Sequence, residues 1–296
     1  MSVRSLLNSL RPLADRRLWM LVLSILLASG GQAQAEEKSE GPDFVRVKNN
    51  ASGKPTSLQT AIAHYQSKDG GKLKIDLIGA VHVGEDAYYQ ELNKRFKNYD
   101  AVMYELVAPE GTRVPAGGAG HSSPLSSMQT GMKDMLDLEF QLEKIDYSPE
   151  NFIHADMSPD EFVQDMEERG DSVLAMFARA MGQGIVQQSK GGSTDAAIMM
   201  ALFSQDRAKK LRRVFASQIA DLDKQMRAIE GKNGSTIISQ RNAKAFEVMD
   251  REIKNGKANI AVFYGAGHLE DMHKRLLKDF NMELKSVEYL DAWDLQ

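Results

Sequence analysis

Two apolar, strand-like runs in this chain end on the same short figure. Ile75-Asp76-Leu77-Ile78 runs into Gly79-Ala80-Val81-His82, and Ile260-Ala261-Val262-Phe263-Tyr264 runs into Gly265-Ala266-Gly267-His268. An acidic, helix-like stretch follows each, so strand, Gly-x-x-His and helix occur twice, far apart in sequence. Upstream, Leu58, Thr60, Ile62 and His64 alternate with Gln59, Ala61, Ala63 and Tyr65, and Lys68-Asp69-Gly70-Gly71 leads into the run from Lys72 to Val81. That pattern predicts a β-hairpin. Glu85 to Tyr99 has helical spacing and Asp100 to Val107 is strand-like. Together with the strand before them they predict a right-handed βαβ unit, with the 100–107 strand beside the 72–81 strand. From Ser126 to about Asn255 nearly everything reads as helix, with starts at Ser148-Pro149 and at the capping box Ser158-Pro159-Asp160-Glu161. The end of the chain returns to strand (258–264), helix (269–279) and strand (284–290). The expected fold is therefore α/β: a mixed β-sheet core formed by the N- and C-terminal parts, with a large helical insertion at about 125–256.

The N-terminus changes the picture of where this domain begins. Arg4, Arg11, Arg16 and Arg17 precede an apolar run from Leu18 to Ala28, and Ala33-Gln34-Ala35 is a small-x-small site. Residues 1–35 read as a secretory signal peptide cleaved after Ala35, in a periplasmic or secreted protein; the rival is a retained anchor. The run is short of the roughly 20 residues that span a bilayer, so no stable membrane insertion is expected after cleavage. The 296 residues carry 37 Lys and Arg against 41 Asp and Glu, and loss of the arginine-rich leader makes the remainder more acidic. An acidic chain without a basic block argues against nucleic acid as a partner. The chain has no cysteine, which excludes disulfides, thiolate metal sites and a cysteine nucleophile. The methionines at 128, 132 and 135, and Met199 with Phe203, share helix faces and are expected as core filler rather than a copper stripe.

The candidate chemistry lies at strand ends, where α/β sheets bind ligands. His82 reads as a metal ligand, an acid–base group or a turn histidine. Glu105 sits in Ala-Val-Met-Tyr-Glu-Leu-Val, apolar enough that its carboxylate needs a partner, a proton or a cation. On the helix over 236–254, Ile238, Phe246, Met249 and Ile253 form a stripe on which Asn242 falls, with Arg241 at its edge. A buried amide needs partners, and an adjacent Arg can serve a carboxylate or an oxyanion. His268 closes a glycine-rich turn that presents its imidazole or aims backbone N–H groups at an anion, though without the spacing of a phosphate loop. His273 is expected on the solvated surface; His154 with Asp156, His64 and His121 are expected to be structural. Two His and one Glu at strand ends can supply three ligands to a divalent cation, with a position left for water.

The set Gly79-x-x-His82, Tyr104-Glu105, Arg241-Asn242 and Gly265-x-x-His268 resembles the TraB/GumN family, which includes the Tiki membrane-associated metalloproteases. The likeness is densest over 75–110 and 237–290; erythromycin esterases and haem-binding ChaN proteins are more distantly similar. It implies a mixed sheet with helical insertions and, for Tiki members, metal-dependent peptide-bond cleavage. By the same resemblance His82, Glu105 and His268 match metal or catalytic positions, and Arg241 and Asn242 the polar pair between them. The expectation is a metal-dependent hydrolase acting on a peptide or related amide or ester. His82, His268 and Glu105 would hold manganese, cobalt or zinc; alternatively Glu105 would be the base, with Arg241 on the oxyanion and Asn242 orienting water or ligand. The loop 109–124 would be a lid. The alternative is a non-catalytic protein that binds a small ligand or signal peptide in the same cleft, since bacterial members of the family include regulators of pheromone response.

Overall fold

The computed structural model describes residues 41–114, 135–169, 200–201, 203–229 and 235–296. The leader at 1–35, residues 115–124 of the expected lid, His121, Met128, Met132 and Met199 lie outside them. Among the described residues no helix is long and apolar enough to cross a membrane.

The strands follow the apolar runs. They are β1 (Val45–Asn49), β2 (Pro55–Ser67), β3 (Lys74–Ala80), β4 (Val83–Gly84), β5 (Ala101–Tyr104), β6 (Glu139–Phe140), β7 (Phe152–His154), β8 (Asn259–Gly265) and β9 (Met282–Asp294). The helices are α1 (Asp86–Phe96), α2 (Gln141–Lys144), α3 (Pro159–Glu168), α4 (Arg207–Ile229), α5 (Arg241–Lys254) and α6 (Leu269–Lys278). Seven strands form one mixed sheet in the order β1-β2-β3-β8-β5-β7, with β9 on the other side of β2; β4 and β6 make a separate ribbon. The β2–β3 hairpin is antiparallel, and β3, β8, β5 and β7 pair in parallel. The N- and C-terminal parts thus interleave in one α/β sheet, with helices between them.

Two differences from the sequence reading matter. The 100–107 strand is not the neighbour of the 72–81 strand, because β8 lies between β3 and β5 and pairs with both. The βαβ crossover skips one place, and the end of the chain fills it. Second, the stretch read as helical contributes β7, which extends the sheet beyond β5. Three residues are too few to show a period of two.

Strands covered on both faces bury consecutive residues: Leu77 with Ile78, Val102 with Met103 and Val262 with Phe263 are all fully buried. Tyr88, Tyr89, Leu92 and Phe96 of α1 and Leu269, Met272 and Leu276 of α6 pack into the same core. Phe203, expected as core filler, is 85% exposed. His273, expected on the surface, is 2% exposed and hydrogen-bonds through Nδ1 to the Tyr65 hydroxyl at 2.8 Å. The segment at Gly41 passes so close that a Cβ there would lie 2.9 Å from the His273 ring. No pattern along α6 could announce a cover that comes from the other end of the chain.

Candidate functional site

Each of the four parallel-paired strands delivers a polar residue just beyond its carboxyl end. After β3, β8, β5 and β7 come His82, His268, Glu105 and Asp156. The two Gly-x-x-His segments use their glycines for closeness rather than for unusual dihedrals. A Cβ on Gly79 would meet the carbonyl oxygens of Phe44 and Ala61 at 3.3 and 3.4 Å, and one on Gly265 would meet Glu105 Oε2 at 3.1 Å.

His82 is held by backbone on both sides. Its carbonyl accepts from the Gln141 N–H at 2.9 Å, Val81 O accepts from the Tyr89 hydroxyl at 3.0 Å, and Val83 O accepts from the Trp293 indole at 2.7 Å. The β4–β6 ribbon brings Gln141 to this place, where its Nε2 donates to the Tyr147 hydroxyl at 3.0 Å.

Glu105, Arg241, His268, Asn242 and Asp156 form one connected cluster. Arg241 Nη2 donates to Glu105 Oε1 at 2.6 Å, while Glu105 Oε2 accepts from the Gly265 N–H at 2.8 Å. The turn therefore does present a backbone donor to an anion, and the anion is the protein's own carboxylate. Arg241 also forks onto Asp156, Nε to Oδ1 at 2.9 Å and Nη2 to Oδ2 at 2.6 Å. Its Nη1 makes one long contact, 3.4 Å to His268 Nε2, and that nitrogen stands 3.5 Å from Glu105 Oε1. Asn242 Nδ2 donates to His268 O at 3.0 Å and to Asp271 Oδ2 at 2.8 Å. With the amide so oriented, its Oδ1 faces His268 Nδ1 at 2.8 Å. The network assigns a proton to Nδ1, and Nε2 faces both the Arg241 guanidinium and the Glu105 carboxylate.

Arg241 and Asn242 are adjacent, yet both are buried, at 9% and 0% exposure. Neighbours in an α-helix diverge by about 100°, and α5 buries a face wide enough for both, since Ala245 with Phe246 and Val248 with Met249 are adjacent buried pairs as well. Residues Thr236–Gln240 form a π-helical turn directly before α5. Ser235 caps it, its hydroxyl accepting from Ile238 N at 3.2 Å.

The electrostatics follow from burial against pairing. Burial pushes the His82 imidazole below its ordinary value, with Arg241 and His268 adding to the shift and Glu105 and Gln141 opposing it. His82 is therefore neutral near pH 7. Burial would raise the Glu105 carboxyl, but Arg241, then His268 and His82, outweigh it and hold the group well below the usual carboxylate range. Burial also disfavours the charged Arg241, and Glu105 and Asp156 more than compensate. His82 and Glu105 retain partial exposure whereas His268, Asn242 and Asp156 are buried, so solvent reaches the cluster over His82 and Glu105.

The five expected residues are thus found at one rim, four of them in direct contact and His82 within reach of their charges. Their donor chemistry, two imidazoles and a carboxylate, is of the kind that binds manganese, cobalt or zinc. As placed, Glu105 Oε1 and His268 Nε2 are turned to Arg241, and among the described residues no three His, Asp or Glu are grouped to hold a metal ion. Asp156, expected to be structural, belongs to the site through its two bonds to Arg241, and Gln141 and Asp271 join it without having been singled out in the sequence. Asp156 had one usable signal, an acid two residues ahead of the Ser158 cap and just after an apolar Phe-Ile. His154, beside it, has Nε2 at 2.5 Å from Leu106 O. Compared with models of protein families, with curated proteins and with solved structures, the chain finds a match in none of the three.

Proposed function

We propose that the chain is a hydrolase that cleaves a peptide bond, or a related amide or ester, in the periplasm or outside the cell. The observation that carries this reading is a guanidinium fixed by two carboxylates, with His82 and His268 at the same carboxyl rim of four parallel strands. In this scheme His82 takes the proton of the attacking water and returns it to the leaving amine or alkoxide as the scissile bond breaks. A base works best when its pKa lies near the working pH, which favours His82 over Glu105, whose carboxyl is held far lower. Arg241 Nη1, the least engaged of that side chain's nitrogens, donates to the oxyanion. Glu105 and Asp156 fix the guanidinium, and Asn242 fixes the tautomer of His268. The divalent cation implied by the resemblance to TraB/GumN and Tiki proteins is the alternative to this scheme: held by His82, Glu105 and His268 with Arg241 withdrawn from them, it would supply a water of lowered pKa in place of proton transfer to His82.

A second reading is a non-catalytic binder that takes a small ligand or peptide in the same cleft, which is open to solvent over His82 and Glu105. Peptide and ester libraries incubated with the purified protein, with chelator and with added manganese, cobalt or zinc, separate the two. The hydrolase reading expects turnover that falls about 100-fold or more in His82→Ala, the usual worth of a general base. Tight ligand binding without products under every metal condition would establish the binder instead.

A further inference from the structure

Glu105 Oε1 and His268 Nε2 stand 3.5 Å apart. Two donors on one tetrahedral ion, each about 2 Å from it, stand roughly 3.3 Å apart. The pair is therefore spaced as joint ligands would be, and both its atoms already face a cation. Arg241 Nη2 lies 2.6 Å from that oxygen and Nη1 lies 3.4 Å from that nitrogen. A guanidinium keeps its charge at any pH the protein survives. It is also anchored from behind, because Asp156, its carboxylate fully buried and itself held by the Met157 N–H at 2.8 Å, takes the Nε and Nη2 side of the fork. A dication sharing both donors would sit within about 4 Å of the guanidinium, where like charges repel strongly in a site of low dielectric.

We infer that Arg241 is the resident cation of this site, and that Glu105 and His268, with His82 beside them, form a divalent-metal site that Arg241 keeps closed. The inference rests on side-chain placement and stands apart from the proposed reaction, so it is tested with metal alone and no substrate. Cobalt(II) is titrated into the wild-type protein, Arg241→Ala and the double variant Arg241→Ala/Asp156→Asn, and followed by visible absorption and calorimetry. The double variant removes the second buried carboxylate that loss of Arg241 would leave without its partner. The wild type is expected to take up no stoichiometric cobalt. The Arg241 variants are expected to bind one equivalent at least 100-fold more tightly, and His268→Ala added to them to abolish binding. Folding of a variant only when cobalt is added, seen by circular dichroism, counts as binding. Wild-type uptake of one equivalent that disappears in His268→Ala overturns the inference. So does failure of both Arg241 variants to bind or to fold in excess cobalt.

Discussion

Asn242 is a fully buried amide in the apolar stripe of α5, and each of its polar atoms is committed. It links the carboxylate of Asp271, the backbone of His268 and the Nδ1 proton of that ring, so one side chain decides which ring nitrogen faces Glu105. Asn242→Ala is expected to cost about 1–3 kcal/mol, the price of leaving buried partners unsatisfied, in urea unfolding. The same variant should show His268 as a mixture of tautomers by imidazole nitrogen NMR, where the wild type shows one. The titrating residues set a pH dependence with opposed parts. His82 and Glu105 have folded pKa values below their ordinary 6.5 and 4.5, so each contributes stability above that value and loses it as pH falls through the folded one. His64, raised chiefly by its hydrogen bond to Asp76 at 2.9 Å, contributes below 6.5 and loses its share as pH rises through its folded value. Unfolding free energy should therefore decline from neutral pH into acid. His82→Gln should flatten the upper part of that decline, and His64→Gln should steepen it.

At the scale of elements, α3 and the π-helical turn act together on the site. Ser158 and Glu161 close a capping box, and α3 then presents Asp165, which accepts from the Thr236 hydroxyl at 2.6 Å where the π turn begins. Asp156 leads into the same cap. Ser158→Ala is expected to cost about 0.5–2 kcal/mol in urea unfolding, as N-cap losses do, with an accompanying shift in the NMR signals of the Arg241 guanidinium. Much of this scale was legible beforehand. The hairpin, the cap, the helix carrying Arg241 and Asn242, and both Gly-x-x-His turns have local causes: alternation, capping side chains and glycine. What was not legible has causes elsewhere in the chain. The place of β8 between β3 and β5 is a matter of which edge remains open when the sheet closes. The three-residue β7 is made a strand by the neighbour it pairs with. The π turn before Arg241 was not legible either, because no propensity marks that widening in Thr-Ile-Ile-Ser-Gln.

Across the whole molecule, the two chain ends depend on each other. β9 runs antiparallel to β2 from Ser57 to Ser67, and its Trp293 is 1% exposed with its indole on Val83 O, one residue from His82. Trp293→Ala is expected to cost about 3–5 kcal/mol in thermal or urea unfolding. It should also broaden the His82 ring signals, because a backbone anchor of that turn is gone. The insertion of β8 between β3 and β5 has a further consequence in time. A ribosome has finished His82, Glu105 and Asp156 well before it reaches Asn259. Until then the two middle strands have a gap between them, and the rim lacks His268. Arg241 and Asn242 are also late, and the amide has no imidazole to orient before the last turn is made. The nascent chain thus carries its reactive groups as scattered, unassembled parts. The centre is complete only when β8, with the turn that carries His268, has paired with both β3 and β5.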